Sequence, residues 1–188
     1  MLIEHLIYST ALAIFIGMIH YRYFGRDYSW IIIASAYVPD LDMISDFLLK
    51  KIGITVQIYG YPIAHGHFHN LAILTLYAIS VAFLLHPIGF KFVDSIFFAG
   101  IGFAAHLFED ALVFKDGYPF FWPLVPQHLG IGLFHYTPTF YGFADKEVLI
   151  IGLILLLSSV ILRTAYEGTR WVANYLPMSG AISSRKGH

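Results

Sequence analysis

Cysteine is absent from the 188 residues. That excludes disulfides, thiolate nucleophiles and cysteine-type zinc sites, and leaves histidine, aspartate and glutamate as the strong metal ligands. Charge is also scarce: Asp, Glu, Lys and Arg make up 12% of the chain, about half of the roughly 25% usual in soluble domains. With 11 basic against 12 acidic residues the net charge is −1, and Lys and Arg form no stripe of the kind that grips a phosphate backbone, so nucleic acid is not an expected partner. Internal repeats and low-complexity segments are missing. So are a basic leader and a small-residue cleavage site: Glu4 and His5 stand at the start, and the first apolar run reads as a retained helix.

Apolar residues fill the space that charge leaves. The chain is 58% hydrophobic and 18% aromatic, which places it among polytopic membrane proteins, with the lipid bilayer as its first partner. About 20 apolar residues cross a hydrocarbon core of about 30 Å. Candidate spans run over residues 6–21, 29–49, 69–86, 92–114 and 147–162. The second is interrupted at Pro39-Asp40-Leu41-Asp42, where proline removes a backbone donor and disfavours helix before it, so that span is expected to be broken or re-entrant. The expected fold is all-α: a transmembrane bundle of four to five spans. A single integral-membrane domain covers residues 1–165, including a 115–146 loop that serves either as a lid or as a structural cap. Residues 166–188 form an interfacial or partly disordered tail.

The ionisable residues are not scattered along these spans. His65 and His69 are four apart, as are His106 and Asp110, and an i,i+4 pair projects from one helix face. If the spans alternate in direction, His5, Asp40, Asp42, His65, His69, His106 and Asp110 all fall towards one side, that of the 115–146 loop. Ionisable groups are costly at membrane depth and usually face one another, water or an ion when found there. These seven are therefore the candidate metal ligands, with Asp40, His69, His106 and Asp110 as the core. Asp40 and Asp42 diverge by roughly 160° on a regular helix, so either the broken backbone turns both inward or only one ligates. His20 and His86 lie at the opposite ends of their helices and read as structural. Glu109, beside Asp110, is either a general base or a solvated interfacial carboxylate.

Three or more imidazoles with carboxylates favour zinc, with manganese or iron as alternatives, over calcium or magnesium. The donors exceed what one catalytic ion requires, so they serve two ions, or one ion with orienting neighbours. A metal-activated water near a membrane surface would hydrolyse lipid or ester substrates without a serine or cysteine. Two other classes fit the same cluster: a transporter or proton relay, and a membrane protein with a structural metal.

The order of the motifs carries a resemblance. His5 before an apolar helix is followed by Pro39-Asp40-Leu41-Asp42, Gly66-His67-Phe68-His69-Asn70, His106-Leu107-Phe108-Glu109-Asp110, Gly117-Tyr118-Pro119 and Trp122-Pro123-Leu124. Over residues 1–125 this resembles the membrane-bound metal-dependent hydrolases of the YdjM-like group, small polytopic proteins of bacteria and archaea that are distantly similar to zinc phospholipases C. The resemblance implies a multi-pass helical protein with a His/Asp metal site, phosphoester hydrolysis, and His5, Asp40, Asp42, His69, His106 and Asp110 at motif positions. His67, which would point off the face of His65 and His69 and so stand beside the ligands or serve structure, is with Asn70 and Trp122 a candidate for contacting substrate. Relatives commonly carry Arg-Gly-x-Thr-His-Ser where this chain has His65 and Phe68 for the Arg and Thr and Asn70 for the Ser. The arginine that would pair with a phosphate is missing, and His65 either ligates metal or hydrogen-bonds a ligand.

Arg22, Arg26, Lys91, Arg163, Arg170, Arg185 and Lys186 collect opposite the proposed site, against Lys50, Lys51, Lys115 and Lys146 beside it. By the positive-inside rule the C-terminus is then cytoplasmic and the site opens outward. The expected function is an integral-membrane, metal-dependent hydrolase of a phosphoester or lipid-like substrate.

Overall fold

The computed structural model describes residues 2–58, 61–62, 66–134 and 146–175. Helix α1 (Leu2–Phe24) is followed by the short α2 (Trp30–Ser35) and by α3 (Leu41–Lys51). A two-residue antiparallel pair, β1 (Gln57–Ile58) with β2 (Tyr61–Pro62), leads to α4 (Leu71–Leu85), α5 (Phe92–Val113) and α6 (Lys146–Glu167). Among the described residues four helices are long and apolar enough to cross a membrane: Ile3–Phe24, Leu71–Ile88, Phe92–Val113 and Lys146–Glu167. The protein is an all-α, multi-pass bundle.

These four spans differ in what surrounds them. The α4 and α6 windows have mean hydropathies of 2.1 and 2.4 and are 11% and 17% buried, whereas α1 and α5, at 1.4 and 1.6, are each 44% buried. The less apolar helices are thus the central ones, because their polar residues are turned inward, while α4 and α6 each pack on one neighbour and leave most of their residues at least partly exposed. Helix α6 packs on α1, α4 packs on α5, and α2 lies between α1 and α5.

The break at Pro39 is what positions the site. Residues 29–49 form no continuous span: Ile31 and Ile32 of the six-residue α2 are buried among Ala13, Phe98 and Ala99, then turns carry the chain to α3. Gly102 lets α2 lie directly on α5, since a Cβ there would meet the Ile32 carbonyl oxygen at 2.5 Å. Beyond the break, α3 buries Asp42 and exposes Leu41, Met43, Ile44, Phe47 and Leu48.

A buried ion pair holds the opposite end. Arg163 of α6 has no solvent exposure and donates from Nη2 to Asp27 Oδ2 at 2.6 Å and from Nε to Glu167 Oε2 at 3.0 Å. Its guanidinium lies 5.2 Å from the Trp171 ring, and Asn174 Nδ2 donates to the same Asp27 oxygen at 3.3 Å. The short 3₁₀ turn Arg170–Tyr175 is thereby docked on the bundle, with Tyr175 hydroxyl 2.7 Å from Ser29 Oγ. Breaking a buried pair by removing one partner costs about 3–5 kcal/mol, whereas an apolar replacement of both is often neutral. Asp27→Asn is therefore expected to lower the thermal midpoint of the detergent-solubilised protein sharply. An Asp27→Leu/Arg163→Met double variant should lie much nearer wild type, and equal losses in the two would refute the pairing.

Candidate metal centre

Four separate segments deliver side chains to one point at the α1 N-terminal end of the bundle. The first turns of α1 bring His5, the Pro39 break brings Asp40, and the turn before α4 brings His69. The last turns of α5 bring His106 and Asp110, one helical turn apart and so on one face. The turn carrying His69 is built for its place. Gly66 has φ 103°, in the region glycine tolerates, and a Cβ there would lie 2.8 Å from the Tyr118 ring. Asn70 caps α4 by accepting from Ile73 N–H at 2.9 Å and ties the turn by donating to the His67 carbonyl at 2.7 Å. Asp42 accepts the Gly66 and Phe68 N–H groups at 2.7 and 3.4 Å.

The donor atoms meet at metal-ligand spacing. Nε2 of His106 lies 3.2 Å from Nε2 of His69, and each is 3.4 Å from Asp110 Oδ2. Asp40 Oδ1 stands 3.5 Å from the His69 atom and 3.7 Å from the His106 atom. Ligands held at about 2.0–2.1 Å around a tetrahedral zinc ion are about 3.3–3.4 Å apart. His69, His106 and Asp110, all fully or nearly fully buried, match that spacing, as a group of donors that could hold a metal ion. A second such group, His5, Asp40 and His106, shares His106 with the first.

The other ring nitrogens show why these atoms point inward. Nδ1 of His106 is 2.6 Å from the Ala36 carbonyl oxygen, which can only accept, so Nδ1 carries a proton and Nε2 is the atom left to offer a lone pair to a metal. Nδ1 of His5 lies 2.7 Å from Glu109 Oε2, and its Nε2 faces Asp110 Oδ1 at 3.4 Å. Nδ1 of His69 faces Asp42 Oδ2 at 3.4 Å. Each imidazole is thus held from behind by a carbonyl or carboxylate, the arrangement that orients metal-bound histidines. The rings are also fixed by stacking: His5 on His106 at 4.0 Å and His69 on Tyr118 at 4.1 Å between centroids.

Burial and charge act against each other here. Burial alone would lower the His69 pKa, but Asp110, Asp40 and Asp42 around its ring raise it from 6.5 to about 10 in the metal-free protein. Burial would raise the Asp40 carboxyl; its contact with His69 and the nearby His106 and His5 hold it below its ordinary value. Tyr118 is pushed up by burial and by the same carboxylates. Asp40 is the most open of the donors, with a side chain 24% exposed against 4% or less for His5, His69, His106 and Asp110.

The structure brings together His5, Asp40, Asp42, His69, His106 and Asp110, and places Glu109 against His5 and not among the atoms that converge between His69 and His106. His65 lies outside the described residues. Asn70 is committed to the turn, His67 is half-buried beside it, and half-buried Trp122 lies on the loop whose Phe120 carbonyl accepts from Leu71 N–H at 2.9 Å. Two participants escaped sequence reasoning, the Ala36 carbonyl and Glu4, which is fully buried next to His5, and Tyr118 was read only as part of a motif and not as a site residue. A backbone acceptor has no residue-type signal. Glu4, one residue before a candidate ligand in an apolar helix, did offer one. His20 sits at the other end of α1, with Nδ1 donating to the Arg26 carbonyl at 2.8 Å.

His106→Ala and Asp110→Asn are expected to abolish metal retention by the purified protein, measured by mass spectrometry of metal content, while His86→Ala leaves it unchanged. Asp42→Asn and Glu109→Gln should weaken affinity by about 10–100-fold, the usual effect of removing a carboxylate behind a liganding histidine. The pH dependence follows from His69. Its raised pKa stabilises the metal-free fold fully below about pH 6.5, and that contribution is withdrawn as pH rises through about 10. Metal must displace that proton, so apparent affinity should climb between pH 6 and 9 with proton release in calorimetry; a flat profile would contradict the assignment.

Compared with known proteins, the chain matches the family model described as YdjM inner membrane protein over residues 1–178. No curated protein and no solved structure matches it. The family match runs through all four long apolar helices and every donor of the His/Asp cluster, and the chain belongs to the YdjM inner membrane protein family.

Proposed function

We propose that this protein is a membrane-embedded, metal-dependent hydrolase acting on a phosphoester or lipid-like ester at the bilayer surface. The observation that carries the reading is the convergence of Nε2 atoms, each ring held from behind, on a buried carboxylate with one partly exposed carboxylate at the mouth. His69, His106 and Asp110 would hold the ion, and zinc suits this mixed nitrogen and oxygen set better than magnesium or calcium, which favour oxygen shells. Manganese and iron are the alternatives. His106 has one nitrogen left for a metal, so the two overlapping donor groups are alternative seats for one ion, and one ion per chain is expected.

A divalent ion bound there supplies Lewis acidity and brings the pKa of a water towards neutrality. The remaining work falls to the chain. Asp40 stands on the open side, within one hydrogen bond of a water approaching the three buried donors, and accepts its proton as the water attacks the ester. The water oxygen bonds to the phosphorus or carbonyl carbon, the ester's P–O or C–O bond breaks, and the departing oxygen takes the proton that Asp40 received. Glu109 keeps the His5 ring in place, and His5 holds the second oxygen of Asp110. Tyr118 and the turn at Gly66 close the cluster from the loop side. By its Lys and Arg distribution the C-terminus is cytoplasmic and the site lies on the far face.

The test is hydrolysis by metal-loaded protein in detergent, with aryl phosphodiesters, aryl carboxylic esters and a phospholipid in mixed micelles as probes. Turnover is expected with at least one class. Asp40→Asn should retain the ion yet lower kcat by about 10²–10⁴-fold, the range for loss of a positioned base. Loaded protein that turns over none of them, but moves protons or metal ions across proteoliposomes in a His106-dependent way, would replace this reading with a transporter.

A further inference from the structure

One large cavity lies beside the centre and is not used by the hydrolytic chemistry. It is bounded by α1, α5 and α6, has a volume of about 630 Å³, and is lined by residues that include Tyr8, Phe15, Phe108, Glu109, Val148 and Leu155. That volume falls within the roughly 300–1,000 Å³ of small-molecule sites. We infer that this groove seats the acyl chain of a membrane lipid that enters sideways from the bilayer, its polar end reaching the metal centre. The inference rests on the hydrolase reading for the chemistry at the polar end, and names the substrate class as an acyl lipid.

Shape, surroundings and polarity together select the occupant. On α6 the lining runs from Val148 to Leu162, a rise of about 21 Å at 1.5 Å per residue. One leaflet of a 30 Å hydrocarbon core is about 15 Å deep, so the groove is long enough for a chain from a single leaflet. Phe15, Phe108 and Leu155 are exposed along it, and all three belong to helices that cross the membrane, so its open side faces hydrocarbon and not water. Among the described residues lining it, Glu109 is the only charged one. At that same end Tyr8 hydroxyl donates to the Val148 carbonyl at 2.7 Å. Glu109 is 2.7 Å from His5, whose ring stacks on His106. Ser158 and Ser159 apart, the described lining beyond Tyr8 and Glu109 is therefore apolar, and the groove ends at the residues that hold the centre in place. A soluble substrate would have no use for such a path, whereas a lipid has one polar end and one long apolar one.

Capture by a phospholipid carrying a photoactivatable group near the end of one acyl chain tests this. Full-length protein is placed in phosphatidylethanolamine vesicles doped with the probe, illuminated, and mapped by peptide mass spectrometry. Label is expected to concentrate on Phe15 and Leu155, away from the polar end at Glu109, several-fold above the more exposed Leu76, Phe83 and Leu84 of α4. Unlabelled phospholipid should compete and a water-soluble glycerophosphodiester should not. Leu155→Trp, a change at an exposed position, should cut groove labelling while metal content stays at the wild-type level. Label spread over α4 and the groove in proportion to exposure would overturn the proposal, as would competition by the soluble diester alone. Concentrated label with no turnover of any ester would sustain the lipid site and discard the hydrolase. Turnover of soluble esters that Leu155→Trp leaves unchanged, with no groove label, would do the reverse.

Discussion

The hydrogen bond from His106 Nδ1 to the Ala36 carbonyl, at 2.6 Å, joins the local sequence to the chemistry of the site. In an unbroken helix the Ala36 carbonyl would accept from the N–H of residue 40. The chain instead turns through residues 36–40 with shorter backbone bonds, Val38 N–H to Ser35 and Leu41 N–H to Val38, and Pro39 has no N–H to continue the ladder. The break thus frees a buried acceptor that must be satisfied, and His106 satisfies it. The same contact fixes the tautomer and aims Nε2 at Asp110 and His69. It also places Asp40, the next residue after the proline, on the open side of the cluster. A fold-level irregularity and a chemical orientation are therefore one event.

Around that contact the membrane imposes a general constraint. Buried ionisable groups in an apolar medium persist only when they satisfy one another, and the bundle gathers them at its two ends. At one end stand three imidazoles and their carboxylates. At the other, Arg163 pairs with Asp27 and Glu167, and Arg26 with Asp94 at 2.7 Å beside His20. Helices α1 and α5 contribute to both polar layers, which is why they are central and less apolar than α4 and α6. The apolar contacts of Ala13, Ile31, Ile32, Phe98 and Ala99 fill the space between.

How much of this was legible beforehand depended on the range of the interaction. Length and apolarity mark α1, α4, α5 and α6 directly, and Pro39 marks the break. The gathering of His5, Asp40, Asp42, His69, His106 and Asp110 follows from alternating helix direction alone, because it needs only which end of a span each residue occupies. What a side chain does once there was not legible. Glu109 reads as a free carboxylate beside a ligand, yet its rotation on α5 turns it to His5 and the groove. Asp42 reads as a ligand equal to Asp40, yet the reach of α3 puts it behind His69, on the backbone of the Gly66 turn. Such assignments depend on rotation about a helix axis and on loop backbone, neither of which period or spacing encodes.

The position of the centre relative to lipid follows from the same geometry. The cluster sits at the α1 N-terminal end, not at mid-membrane, because His5 lies in the first turns of α1, His69 precedes α4, and His106 and Asp110 lie in the last turns of α5. A donor set at that depth can meet water through Asp40, while its other flank, at Glu109, borders the apolar groove. Hydrolysis of a lipid needs both: water from one side and an ester held by its chain from the other. A metal with a purely structural role would require neither a partly exposed carboxylate nor a lipid-facing groove ending at its supporting residues. The joint presence of the two is what favours an enzyme over a stapled bundle.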